Sequence, residues 1–166
     1  MNAMKTVTLS VILFVFICGL NENSLFAQEH TMTARELVIG SELVVVGQVK
    51  SVRSEWSDDR SFIFSDVTIE VEEYVKGGQA GKSVTVRHLG GEVGEVGEFY
   101  SHTARFQAEE EVLVFLDRDP RGTLRVAGGE HGKFRITRDR VTGQRMVEGR
   151  APLENVTRDL RTIQRE

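Results

Sequence analysis

The chain is poor in the residues that most often announce a chemistry. Among its 166 residues there is one cysteine, Cys18, set inside an apolar run near the N-terminus. A lone thiol excludes an internal disulfide, and a cysteine framework for zinc cannot be built from it. The four histidines, His30, His88, His102 and His131, show no metal-ligand spacing such as H-E-x-x-H. No metal and no other cofactor is expected. The glycine pairs Gly90–Gly91 and Gly128–Gly129 match neither the phosphate-binding P-loop nor the dinucleotide fingerprint, and read as positive-φ turn residues. No serine sits in a G-x-S-x-G elbow, so no nucleophile is assigned.

Charge is balanced rather than one-sided. Lys and Arg number 21 against 25 Asp and Glu, a formal net charge of −4. That balance offers no general attraction to nucleic acid. Arg87, Arg105, Arg125 and Arg135 could line up with Tyr100 and Phe106 as a basic stripe, but export and net acidity argue against it. The acidic clusters Asp58–Asp59, Glu92–Glu95–Glu98 and Glu109–Glu110–Glu111 lack the alternating ligands of a calcium loop and read as solvated faces.

What is present begins with an address. Lys5 is followed by the apolar run VTLSVILFVFICGL at Val7–Leu20 and a short polar exit ending at Ala27. This is the layout of a secretory signal peptide. The 14-residue run is short of the ~20 residues that a membrane span needs. The expectation is a signal peptide over 1–27 and a secreted or periplasmic protein without a stable membrane span. A leader with a short helix follows over 28–40, in which Thr33 and Glu36 stand at capping-box spacing.

Residues 41–150 carry strand periodicity. Ser61–Lys76 is dense in Val, Ile, Phe and Thr, with alternating apolar residues whose phase slips at Ser65–Asp66. The slip predicts a bulge or corner there. Ser41–Trp56 forms the partner strand of a hairpin, with Gly47 marking a tight bend or the close passage of another backbone. Trp56 is expected to close one end of the core. Lys82–Leu89 is a third strand. Gly90–Phe99, GGEVGEVGEF, breaks the periodicity and reads as a loop. In Glu109–Asp117, Val112, Val114 and Leu116 alternate with Leu113 and Phe115, the pattern of a central strand covered on both sides. Thr123–Ala127, Lys133–Thr137 and Gln144–Val147 are short strands. In 151–166, Leu153, Val156, Leu160 and Ile163 make a helical stripe, the alternative being a frayed tail. The fold class is therefore mainly β, a small five- to six-stranded antiparallel barrel with a C-terminal helix.

The order SELVVVGQV, VTIEVEEYVKG, VTVRHLGG, FQAEEEVLVFL, GGEHGKFRI, from about Leu43 to Ile136, resembles a group of exported bacterial domains of uncharacterised function. It also looks like the netrin-like and metalloproteinase-inhibitor barrel, a relative of the oligonucleotide-binding fold. The resemblance implies fold, export and a non-catalytic binding role. The inhibitors' zinc-chelating N-terminal cysteine and disulfides have no counterpart here, so inhibition is not carried over.

The function expected is an exported interaction module with a protein partner, oligomeric state left open. Its contact surface is placed on Gly90–Arg105 with Gly128–Gly132, through Glu92, Glu95, Glu98, Tyr100, His102, Arg105, Glu130 and His131. One alternative is a hydrolase using a His–carboxylate pair around His131 and Glu130. Another is a passive structural protein of the envelope.

Overall fold

The computed structural model describes residues 32–78, 81–148 and 151–165. The signal peptide expected over 1–27, Cys18 and His30 lie outside the described residues. Helix α1 spans Ala34–Gly40. It starts at the capping box read from the sequence: the Glu36 amide donates to Thr33 Oγ1, and the Thr33 amide donates to Glu36 Oε2. Its C-terminal end is held by Lys76, whose ammonium donates to the carbonyls of Val38 and Ser41 at 2.5 and 2.7 Å.

Strands β1 (Leu43–Trp56) and β2 (Ile63–Lys76) form the long hairpin. The turn between them is clamped by Asp59, which accepts from the Ser57 and Ser61 hydroxyls and the Ser61 amide. The Ser61 and Ser57 hydroxyls and the Ser61 amide hold the Asp59 carboxyl down at about 2. After β2 come β3 (Ser83–Leu89), a small hairpin of β4 (Gly91–Val93) and β5 (Val96–Glu98), β6 (Glu111–Arg118) and β7 (Leu124–Val126). A 3-10 turn at Gly129–Gly132 leads to β8 (Lys133–Arg138) and β9 (Arg145–Val147), and helix α2 (Leu153–Gln164) follows.

Five strands close a barrel in the order β1-β2-β3-β7-β6, because β1 pairs with β6 as well as with β2. The closing ladders are antiparallel except β3–β7, which is parallel and rests on the Val86–Leu124 bridge. The barrel is thus mixed, where the sequence predicted an antiparallel one. β8 and β9 extend the sheet beyond β6. The strand order and the C-terminal helix are consistent with the oligonucleotide-binding-like, netrin-like architecture.

Closure needs one strand to bend sharply, and Gly47 is where it does so. A Cβ at Gly47 would lie 2.3 Å from the Glu70 carbonyl oxygen, so no side chain fits there. The β1–β2 register slips at Val44/Val45, Val46/Gly47 and Val49/Ser51. The slip expected at Ser65–Asp66 is absent: Ser54–Ser65 and Arg53–Asp66 are paired in register. Ser65 is fully buried and keeps phase with Ile63, Val67 and Ile69, while Phe64 faces the other side beneath the Arg87 guanidinium.

The core has two layers with β1 and β6 between them. Leu43, Val45, Val49, Val112, Val114 and Leu116 face the barrel interior with Val67, Ile69 and Val86. Val44, Val46, Leu113 and Phe115 face outward beneath the helices, against Leu37, Val38, Leu153 and Leu160. Each such aliphatic side chain, fully buried, contributes about 1.5–3 kcal/mol. The alternation in β6 and the stripe of α2 are therefore as the sequence predicted. Trp56 is half-buried at the end of β1, outside both layers. It does not close the core as expected, because the hairpin carries it past the last apolar layer.

One acidic cluster is not the solvated face it was read as. The Glu110 side chain is 6% exposed and bridges Lys133, itself 11% exposed, and Arg135. It also accepts from the Gln107 amide at 2.8 Å, fixing the turn that leads into β6. Removing one partner of a buried pair strands the other's charge. Glu110→Ala is expected to lower unfolding free energy by about 3 kcal/mol. Glu95→Ala, at an exposed turn, is expected to stay within about 0.5 kcal/mol. Urea denaturation of the two variants measures both, and equal small losses would remove Glu110 from this role.

Candidate functional site

The chain between β3 and β6 builds a cleft at one end of the barrel. β4 crosses over the face of the β1–β2 hairpin, and it can do so because residue 91 is glycine. Gly91 has φ 141°, and a Cβ there would lie 2.3 and 2.4 Å from the hydroxyls of Ser65 and Ser54. Those hydroxyls form a directed chain. Ser65 Oγ donates to the Gly90 carbonyl at 2.7 Å, so Ser54 Oγ donates to Ser65 Oγ at 2.8 Å. Ser54 Oγ then accepts from the Glu92 amide at 3.3 Å. At the other side of the small hairpin, Glu98 accepts from the Ile63 amide at 2.8 Å and from the Tyr100 hydroxyl at 3.2 Å. Partial desolvation and the hydrogen bond to the Glu98 carboxylate push the Tyr100 phenol above its ordinary value, so it stays a donor at neutral pH.

Beyond Tyr100 the chain reaches the 3-10 turn, where the Glu130 amide donates to the His102 carbonyl at 3.0 Å. It then turns inward, and Ala104 and Phe106 join the barrel core. Between this returning segment and the inner face of the hairpin lies a cleft of about 370 Å³. Val52 and Ser54 of β1, Ser65 of β2, and His88 and Leu89 of β3 line one wall, with Tyr100, Arg105 and Phe106 across it. That volume is at the small end of ligand sites. The Arg105 guanidinium sits 5.0 Å over the Phe99 ring, which is 62% exposed.

His88 is the unusual wall residue. Its ring stacks on Phe106 at 5.9 Å, and Nδ1 lies 2.9 Å from its neighbour's carbonyl, Leu89 O. A carbonyl only accepts, so Nδ1 carries the proton and Nε2 is left as an acceptor. Nε2 is closed off from water and has no hydrogen-bond partner among the described residues.

The residues expected to act together are only partly brought together. Glu92, Glu98, Tyr100 and Arg105 line the cleft. His102 and Glu130 meet in a shallower depression beside it, with His102 Nδ1 and Glu130 Oε1 3.1 Å apart. Their side chains are 72% and 48% exposed, and the histidine that meets the Glu130 carboxylate is thus His102 rather than His131. Glu95 lies at the tip between β4 and β5, away from both. The segment read as a loop is in part this two-stranded hairpin, with Val93 facing Val96. Of the arginines weighed as a basic stripe, Arg87 pairs with Asp66, Arg125 with Asp119 and Arg135 with Glu110, so three of the four are locally neutralised. Among the described residues, no three His, Cys, Asp or Glu side chains gather as a metal site. No helix among them is long and apolar enough to cross a membrane. No family model matches the chain, and no curated protein matches it.

Sequence reasoning overlooked Val52, Ser54, Ser65 and Leu89 as walls, and included Phe99 in the contact segment Gly90–Arg105 without singling it out. The adjacency of Phe99 and Tyr100 within a polar stretch was the available signal. The orphan acceptor leads to a stability prediction. A buried acceptor without a donor costs about 1–3 kcal/mol, and an apolar replacement of the same shape removes that cost. His88→Phe keeps the stack on Phe106 and gives up a bond to a carbonyl that water can reach. Its melting temperature is expected to equal or exceed that of the parent. A drop of several degrees in a calorimetric scan would show that the Nδ1 bond outweighs the orphaned Nε2.

Proposed function

We propose that the chain is an exported, non-catalytic binding module that receives a protein partner at the cleft and its apolar rim. The observation that carries this is where large apolar side chains are left in water. Of seven exposed large hydrophobic residues among the described ones, five are Val52, Leu89, Val96, Phe99 and Tyr100, on the cleft and the β4–β5 hairpin. A concentrated apolar patch with a polar rim is the signature of an interaction surface, and aromatic anchors supply most of the energy at such surfaces. The strand framework beneath is a closed barrel, and the surface itself is a long inter-strand connection, where recognition residues tend to sit. Export rests on the signal-peptide layout at 1–27.

The test is affinity capture with the tagged protein from the exported fraction of its own organism. The parent is expected to capture one saturable protein. Phe99→Ser combined with Leu89→Ser is expected to weaken capture at least about tenfold. Both side chains are exposed, so the variant is expected to melt within a few degrees of the parent. Capture unchanged by the double substitution would place the contact surface elsewhere.

A further inference from the structure

β1 outruns the strand that closes the barrel against it. Its ladder with β6 ends at Gln48–Glu111, and the last exchanges are the Val49 amide to the Glu110 carbonyl and the Glu109 amide to the Val49 carbonyl, at 2.9 and 2.8 Å. There the incoming chain turns away through Glu109, a non-glycine residue at φ 65°. β1 nevertheless runs on from Ser51 to Trp56, paired in unbroken register with β2 from Thr68 to Ile63. On its other side, no strand among the described residues pairs with it.

The register tells which backbone groups are left over. The Gly90 amide donates to the Ile63 carbonyl, so the polar groups of Ile63 point towards β3. Directions alternate along a strand, so those of Phe64, Asp66 and Thr68 point towards β1 and meet Glu55, Arg53 and Ser51. The N–H and C=O groups of Val52, Ser54 and Trp56 therefore face outward from the free edge. Side chains alternate with the same period, and those of Val52 and Ser54 line the cleft. The vacant edge and the cleft thus meet along one strand.

We propose that the partner is engaged as an extended peptide segment that adds as a strand to the free edge of β1 at Val52–Trp56. This rests on the binding-module reading and names how the partner is held. The edge specifies the chemistry, because only an extended polypeptide offers amide donors and carbonyl acceptors at the strand repeat. The peptide runs antiparallel to β1 and takes up the ladder where Glu109 and Glu110 leave it. Its alternate side chains on the cleft side are apolar, meeting Val52 and the exposed rim of Phe99 and Tyr100. A basic residue flanks them, facing the cleft residue Glu92, which has no ion-pair partner among the described residues.

The test reads backbone amides one at a time. In the free protein, hydrogen exchange is expected to be slow at Ser51, Arg53 and Glu55 and fast at Val52, Ser54 and Trp56. The probe is a pool of capped heptapeptides alternating Val, Ile or Phe with Thr, with a lysine at each end. At about 1 mM, a concentration that reveals even weak sites, it is expected to slow Val52, Ser54 and Trp56 at least about tenfold. The same pool N-methylated on alternate amides is expected to lose that effect. Val52→Pro deletes one outward N–H and leaves the bonds to β2, as proline at an edge can. It is expected to keep the fold and lose at least about tenfold in peptide affinity, whereas Val52→Thr retains binding.

Slow exchange at Val52 and Ser54 in the free monomer, no protection from any pool member, or equal binding of N-methylated peptides overturns the proposal. Protection that instead tracks protein concentration, with sedimentation as a dimer, overturns it in favour of a second copy. The outcomes also separate the two levels. Partner capture that needs Phe99 but survives Val52→Pro leaves the binding module standing and removes strand addition.

Discussion

Everything in this molecule hangs on β1 being shared between two partners. A strand that pairs with β2 on one side and β6 on the other must curl, and curling a sheet this tightly brings backbones close together. Gly47 is the point where the approach is closest, with the Glu70 carbonyl where a side chain would begin. The neighbouring register slips take up the rest of the bend. Once closed, β1 from Leu43 to Val49 and β6 from Val112 to Leu116 have no free face. One set of Val and Leu side chains fills the barrel and the other needs a cover, which α1 and α2 provide. The helices are thus a consequence of closure. Lys76, capping α1 from the end of β2, and the ion pair of Arg161 with Glu73 tie that cover to the hairpin.

How much of this was legible follows from the range of each signal. Local signals were readable: the Thr33–Glu36 capping box, the double alternation of Val112–Leu116, the 3-4 stripe of α2, and Gly47 as a point of close approach. Signals that depend on a distant partner were not. The parallel ladder of β3 with β7 rests on a single bridge, and nothing around Val86 or Leu124 encodes its direction. The bulges leave one extra residue each and do not disturb composition. The apparent slip at Ser65 misled because serine was counted as a wet residue. It is buried there, and its hydroxyl is satisfied by the Gly90 carbonyl, 25 residues away in sequence. Glu110 misled for the same reason: in a run of three glutamates, only Lys133 and Arg135 on β8 reveal which one is inside.

The site was half legible. Glycines and glutamates at 90–99 mark a segment without a core of its own, and part of it lines the cleft. Which members converge is decided by two crossings that sequence does not show, β4 over the Ser54–Ser65 pair and the 3-10 turn against His102. That second crossing brings Glu130 to His102 and leaves its immediate neighbour His131 without a side-chain partner among the described residues.

The cleft exists because the inner face of the hairpin changes character along its length. From Leu43 to Val49 on β1, and from Ile69 back to Val67 on β2, that face is Val, Ile and Leu, and the barrel is dry. At Ser54 and Ser65 it becomes hydroxyl, and hydroxyls facing each other cannot be sealed under an apolar plug without partners. The chain answers with glycine-backed β4 and the residue before it, the Glu92 amide and the Gly90 carbonyl satisfying them, and this holds the connection away from Val52 and Leu89. Those side chains are left exposed at the edge of the cleft. The same stretch of β1 is where β6 has already departed, so apolar surface and unpaired backbone are exposed together. A domain built only for stability would shorten the hairpin at that point, since an exposed strand edge beside apolar side chains invites association. Here the hairpin continues to Trp56 with its turn firmly clamped by Asp59, so that free edge is held in register against β2 rather than left to fray.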